Sequence, residues 1–162
     1  MDGAVVKWLE STVNPDQDPA VTLAQGQALM RAQPVMPRVF AGDVHCRLAA
    51  LSYWVSDWGG TARHAAHAIR IALDLSTEAQ LHVLSRAVLL LDHAARRLPD
   101  VSPDMTLALE QGSEALARAI DVSVATADTN LTMLATLQAV AASLSVVASG
   151  DTASAKQRIA DE

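Results

Sequence analysis

Apolar positions along this chain recur at spacings of three and four, the period of a helix that buries one face. The pattern is plain at Ala62, Ala65, Ile69, Ala72 and Leu73, and again at Leu81, Leu84, Val88, Leu91, Ala95 and Leu98. Turn and cap residues divide it into helices. The first is predicted from Asp2 to Val13 and is broken by the run NPDQDP, because a proline disfavours helix in the residue before it. Asp18 caps a second helix with Pro19 at its first position, running to Gln33. The stretch PVMPRVFAGD reads as an extended connector, after which Asp43 caps a third helix, Val44 to Trp58, ended by Gly59 and Gly60. Thr61 caps a fourth, Ala62 to Leu75, and Thr77 with Gln80 forms a capping box for a fifth that ends at Leu98-Pro99. Ser102, Pro103 and Asp104 open a helical pattern that reaches Ala148, with a break near Asp128–Asn130, and Asp151 caps a short last helix.

One stretch departs from the amphipathic rule. Between Asp128 and Asp151 the segment TNLTMLATLQAVAASLSVVASG has no charged side chain. Leu131, Leu134, Leu137, Val140, Leu144 and Val147 make a large apolar stripe, and Ala135, Ala139 and Ser143 a small-residue stripe that lets another helix approach closely. A helix apolar or small all round belongs in the middle of a bundle or in a bilayer. Its threonines and serines, Asn130, Gln138 and the aspartate at each end speak against a membrane span, which favours basic and aromatic flanks. The expectation is an all-α bundle of six to eight helices in one domain, 1–162, built around this central helix. Ala135, Ala139 and Ser143 are the candidate oligomer interface, and a homodimer is the commonest closed form.

Composition agrees with an all-α chain: 51% of the residues are hydrophobic and 3% aromatic, so Leu, Val and Ala fill the core. Arginine outnumbers lysine strongly, as a GC-rich, bacterial genome would give. Cys46 is the single cysteine and has no partner for an internal disulfide; with no secretory signal pattern at the start, a cytoplasmic location is expected. The net charge of −6 argues against DNA or other nucleic acid as a non-specific partner, which needs a concentrated basic face. Residues 98–162 carry that acidity, whereas residues 43–97 are close to neutral and hold all five histidines.

That middle third holds the candidate site. Arg63, His67, Arg70 and Asp74 share a face of the fourth helix, with Arg70 and Asp74 spaced as an i,i+4 ion pair. His82, Arg86, His93 and Arg97 make a similar ridge on the fifth. His64 and His67, three apart, have a spacing that can place two imidazoles on one metal, but no cysteine or carboxylate stands beside them at ligand spacing; no metal or cofactor is expected. Together with Trp58, these side chains are the candidate ligand or partner surface. Trp54 and Trp58 stand four apart at a predicted helix end, and an exposed indole is a common interface anchor. Cys46 reads as a small buried hydrophobe. The acidic positions Glu110, Glu114 and Asp121 read as a solvated outer face, with Glu114 and Arg118 paired.

No nucleophile elbow, phosphate loop or dinucleotide fingerprint is present, so no catalytic residue is assigned. The expected function is that of a non-catalytic interaction protein: an adaptor, a regulatory or immunity-type binder, or an assembly component, with a protein partner and self-association. Arg86 and His93, with six residues between them, are similar to the Arg-x(4–6)-His motif of HEPN-type ribonucleases, although Ala87 stands where that family usually has a polar residue. The resemblance implies a dimeric helical bundle in which Arg86 and His93 act on RNA phosphate. A ligand-binding or HEPN-like bundle using the ridge of the fourth and fifth helices is therefore the alternative.

Overall fold

Helix-favouring composition and short breaks give six α-helices and no strand among the described residues: α1 (Gly3–Ser11), α2 (Pro19–Ala32), α3 (Arg38–Trp54), α4 (Trp58–Ala72), α5 (Thr77–Ala95) and α6 (Pro103–Thr126). The computed structural model describes residues 3–14, 16–32 and 35–126. The expected central helix Leu131–Val147, with Ala135, Ala139 and Ser143, lies outside the described residues, as does the predicted last helix.

Consecutive helices pack on one another, α3 against α4, α4 against α5 and α5 against α6. Cys46 of α3 meets Val83 near the start of α5, and Tyr53 at the end of α3 meets His93 near the end of α5. The two helices are therefore parallel, and α4 runs antiparallel to both. Alanines make this close packing possible. Ala49, Ala62, Ala65, Ala68, Ala72, Ala87 and Ala94 are fully buried around Ile69, Leu84, Val88, Leu91 and Leu116. Of the predicted core faces, Ala62, Ala65, Ile69 and Ala72 on the fourth helix and Leu84, Val88 and Leu91 on the fifth are buried, while Leu73, Leu81, Ala95 and Leu98 are only partly so. Gly112 serves the same close approach: a Cβ there would lie 2.8 Å from a methyl of Ile69. A second core gathers α1 and α2 on the far side of α3, with Trp8, Leu23, Val44, Leu48 and Leu51 at its centre. The Trp8 indole nitrogen donates to the Thr22 carbonyl at 2.9 Å.

The main correction concerns the turn between α3 and α4. Gly59 and Gly60 do not end a helix; they lie in the first turn of α4. The helix ends earlier, at Trp54, and Ser56 takes the left-handed conformation (φ 60°) that glycine usually supplies. The Ser56 amide donates to the Tyr53 carbonyl at 3.0 Å and the Asp57 amide to the Ser52 carbonyl at 2.9 Å, the two bonds of a Schellman closure. Asp57, not Thr61, is the N-cap of α4, its carboxylate accepting from the Gly60 amide at 2.8 Å. Trp54 and Trp58 therefore belong to different helices.

Other starts shift too. The expected connector PVMPRVFAGD is already helical from Arg38, after Pro37 at the N-cap position, so Asp43 is an interior residue freed for tertiary contacts. The capping box at Thr77 and Gln80 is not formed; Ser76 is the N-cap position without a side-chain bond, and Gln80 donates to the Leu73 carbonyl at 3.1 Å. Asp18 and Ser102 do cap as predicted, accepting from the Ala20 amide at 2.9 Å and the Met105 amide at 3.3 Å.

Candidate functional site

The predicted site residues do not meet in one cleft. They are divided among four places, each set by the neighbouring helix.

The first is the α3–α4 hairpin. Residues equally distant from Ser56 face one another across it. Arg38 is ion-paired with Asp74, a Cβ on Gly60 would lie 3.0 Å from the Ser52 hydroxyl, and between these rungs His45 faces His67. The His45 and His67 ring centroids are 4.5 Å apart and those of His45 and His64 5.3 Å. The Nδ1 atoms of His45 and His64 approach to 3.1 Å. His45 and His64 are half-buried and His67 is exposed. Burial lowers the His45 pKa from 6.5 to about 4, helped by the charges His67 and His64 would carry. Burial also lowers that of His64, helped by Arg63 and His67 and opposed by Asp57. On balance burial favours the neutral imidazole at both His45 and His64. Arg63 is exposed on the same helix and reaches back toward Gly59.

The second place lies between the parallel helices α3 and α5. Asp43 accepts from an Arg86 Nη at 3.4 Å and faces His82 Nε2 at 3.6 Å and Arg47 Nε at 4.0 Å. Arg86 also contacts the His82 ring and donates to the His82 carbonyl at 3.2 Å. One carboxylate thus serves two guanidinium groups and an imidazole. Next to it, Cys46 is buried, donates to the Val83 carbonyl at 3.5 Å, and has its thiol pushed up to about 12 by burial. It is the inert packed thiol that the sequence suggested.

The third place is the end of the bundle where α3 stops and α4 starts. Tyr53 packs edge-on against Trp54 and Trp58, with centroids 6.3 and 5.4 Å apart, and stands 6.1 Å from His93. The Arg97 guanidinium lies 4.8 Å from the Trp58 ring centroid, a cation–π distance. Trp54 projects outward, 73% exposed. Beside it a cleft of about 360 Å³ is lined by Thr12, Val13, Pro19, Leu51 and Trp54.

The fourth is a single pair. Arg70 bonds Asp104 at the start of α6 rather than Asp74, so the i,i+4 pair read from the sequence is not made. Glu114 and Arg118 do pair, at 2.7 Å.

Arg86 and His93 thus stand at different stations of the α3–α5 seam, one held by Asp43 and the other beside Tyr53. Among the described residues no three His, Cys, Asp or Glu side chains converge to hold a metal as they stand, and no helix is long and apolar enough to cross a membrane. The residues missed by the sequence reading are His45, Asp43 and Tyr53, all on α3. Their signal was the turn position: with Ser56 as its centre, His45 falls opposite His67. No protein family, curated protein or solved structure matches the chain.

Proposed function

We propose that the chain is a non-catalytic helical interaction protein: an adaptor, a regulatory or immunity-type binder, or an assembly component. The observation that carries this reading is the aromatic end of the bundle. A tryptophan 73% exposed is costly in water, and Trp54 stands with Tyr53, Trp58 and Arg97 beside an open cleft. Trp, Tyr and Arg are the residues most enriched at the energetic centres of protein interfaces. Val13 and Val55, 64% and 37% exposed, widen the apolar surface. The partner is a protein that inserts an apolar side chain beside Trp54.

Self-association is a separate part of the proposal and rests on the uncharged segment with Ala135, Ala139 and Ser143. The Arg/His ridge lends less support to catalysis, because Arg70 and Arg86 are each occupied by a carboxylate.

Light scattering over a dilution series, on the wild type, Ala139→Arg and Trp54→Ser, tests both parts. The expected outcome is a wild-type dimer that survives Trp54→Ser and is broken by Ala139→Arg. A wild-type monomer at all concentrations removes the homodimer. For the aromatic end, binding partners isolated with the wild type should be lost with Trp54→Ser and kept with His82→Ala. RNA cleavage that disappears in Arg86→Ala and His93→Ala would replace this proposal with the ribonuclease reading.

A further inference from the structure

We propose that His45, His64 and His67 form a binding site for one divalent transition-metal ion of the zinc, nickel or copper class, spanning the α3–α4 hairpin. The Nδ1 atoms of His45 and His64 are the preset pair, and His67 supplies the third nitrogen.

The spacing of the rings carries the argument. Zinc binds imidazole nitrogen at about 2.0–2.1 Å, so two nitrogens on one tetrahedral ion stand about 3.3–3.4 Å apart, and their ring centroids about 5 Å apart. The Nδ1 atoms of His45 and His64 are 3.1 Å apart and their centroids 5.3 Å. An ion can enter with only a small widening of the pair. His67 is one helical turn from His64, with its ring 4.5 Å from that of His45. No three donors converge among the described residues as they stand, so the third bond requires a turn of the His67 side chain. That side chain is exposed, and the staggered rotamers open to an exposed side chain include alternatives to the one it occupies. Water fills the fourth position.

The donor chemistry selects the ion. All three ligands are imidazoles. Cys46 faces Val83 on the other side of α3, and Asp57 is occupied with the Gly60 amide. A set of nitrogens without oxygen suits zinc, nickel and copper and gives magnesium or calcium nothing they prefer. With no ligating carboxylate and with Arg63 nearby, the affinity should be moderate rather than that of a structural zinc site.

The competing account is that the 3.1 Å approach is only a hydrogen bond between two neutral rings. The experiment uses the full chain without a histidine tag, stripped with chelator. It is titrated with Zn²⁺ by calorimetry and with Co²⁺ by visible absorption. The expected result is one saturable equivalent per chain, with ligand-field bands of a four- or five-coordinate cobalt. His67→Ala should weaken binding by more than about tenfold, since even an outer-shell contact to a metal is worth that much. His45→Gln should do the same, and His82→Ala should leave binding unchanged. Because His67 is exposed, its variant keeps the test valid even if a change at His45 disturbs the hairpin. Absence of saturable binding, or binding undiminished in His67→Ala, overturns the proposal.

Discussion

Helices α4 and α5 carry similar strings of histidine and arginine, and the fold gives them opposite surroundings. On α5, Arg86 and His82 face Asp43, while Arg97 lies over the Trp58 ring. On α4, His64 and His67 face another imidazole, that of His45. The cause is on α3, which lies against both. Asp43 and His45 are two residues apart, and two residues turn a helix by about 200°. The same helix therefore offers a carboxylate to α5 and an imidazole to α4. A basic ridge beside an acid becomes an ion-pair network; one beside an imidazole becomes a cluster of imidazoles. Composition alone does not distinguish them.

The α5 half of the comparison breaks most severely at Asp43. Asp43→Ala leaves the half-buried Arg86 and Arg47 without a counter-charge. Removing one partner of a fully buried pair costs about 3–5 kcal/mol; at this half-exposed site about 2 kcal/mol is expected, by urea unfolding. Adding Arg86→Met should recover part of the loss, because the stranded cation is then gone. Additive effects of the two changes would show that the network is not coupled.

Acid tests the α4 half. The His45 pKa is lowered from 6.5 to about 4 in the folded chain, so the unfolded chain binds more protons between those values. Stability from this group is fully present above pH 6.5 and is lost as the pH falls toward 4. His64 shifts in the same direction. For half-exposed rings the loss should be on the order of 1–2 kcal/mol after solvent screening is allowed for. The measurement is urea unfolding in chelator from pH 7 to 4.5, wild type against His45→Gln. Carboxylates titrate alike in both chains, so a shallower slope in the variant isolates the imidazoles. Equal slopes would mean the cluster titrates as if in water.

This division was only partly legible in the sequence. Apolar spacing located α4 and α5 and their buried faces, because Ala65, Ile69, Leu84, Val88 and Leu91 repeat with the helical period. Which residue of α3 faces which residue of α4 depended on the turn between them. Reading Gly59-Gly60 as that turn displaces the hairpin axis by about one helical turn and separates His45 from His67. The physical reason for the error is that a serine, not a glycine, holds the left-handed position, and that an aspartate three residues before Gly60 caps the next helix. Ser56→Gly sharpens the point. A left-handed non-glycine residue costs about 1 kcal/mol, and glycine regains most of it while losing a little through a more flexible unfolded chain. A net gain of about 0.5 kcal/mol in urea unfolding is expected, with the cobalt spectrum unchanged because the register is unchanged. Loss of stability would show that the Ser56 side chain contributes something its conformation does not reveal.

The smallest effect on stability is expected at His67. Its ring is exposed and touches the cluster from outside, so His67→Ala in the metal-free chain should change unfolding by less than about 0.5 kcal/mol, the usual range for a surface substitution. Yet a ligand that binds only the folded state stabilises it by an amount that grows with its excess over the dissociation constant. The wild type should therefore gain several degrees in melting temperature with zinc, and His67→Ala little or none. Two chains indistinguishable without metal would then separate when it is added. That behaviour belongs to a donor, not to a packing residue: a residue holding the hairpin together would lower stability in both conditions alike. The corresponding change on α5, His82→Ala, should leave the response to zinc intact, because that imidazole faces Asp43 and Arg86 and is not part of the His45 cluster.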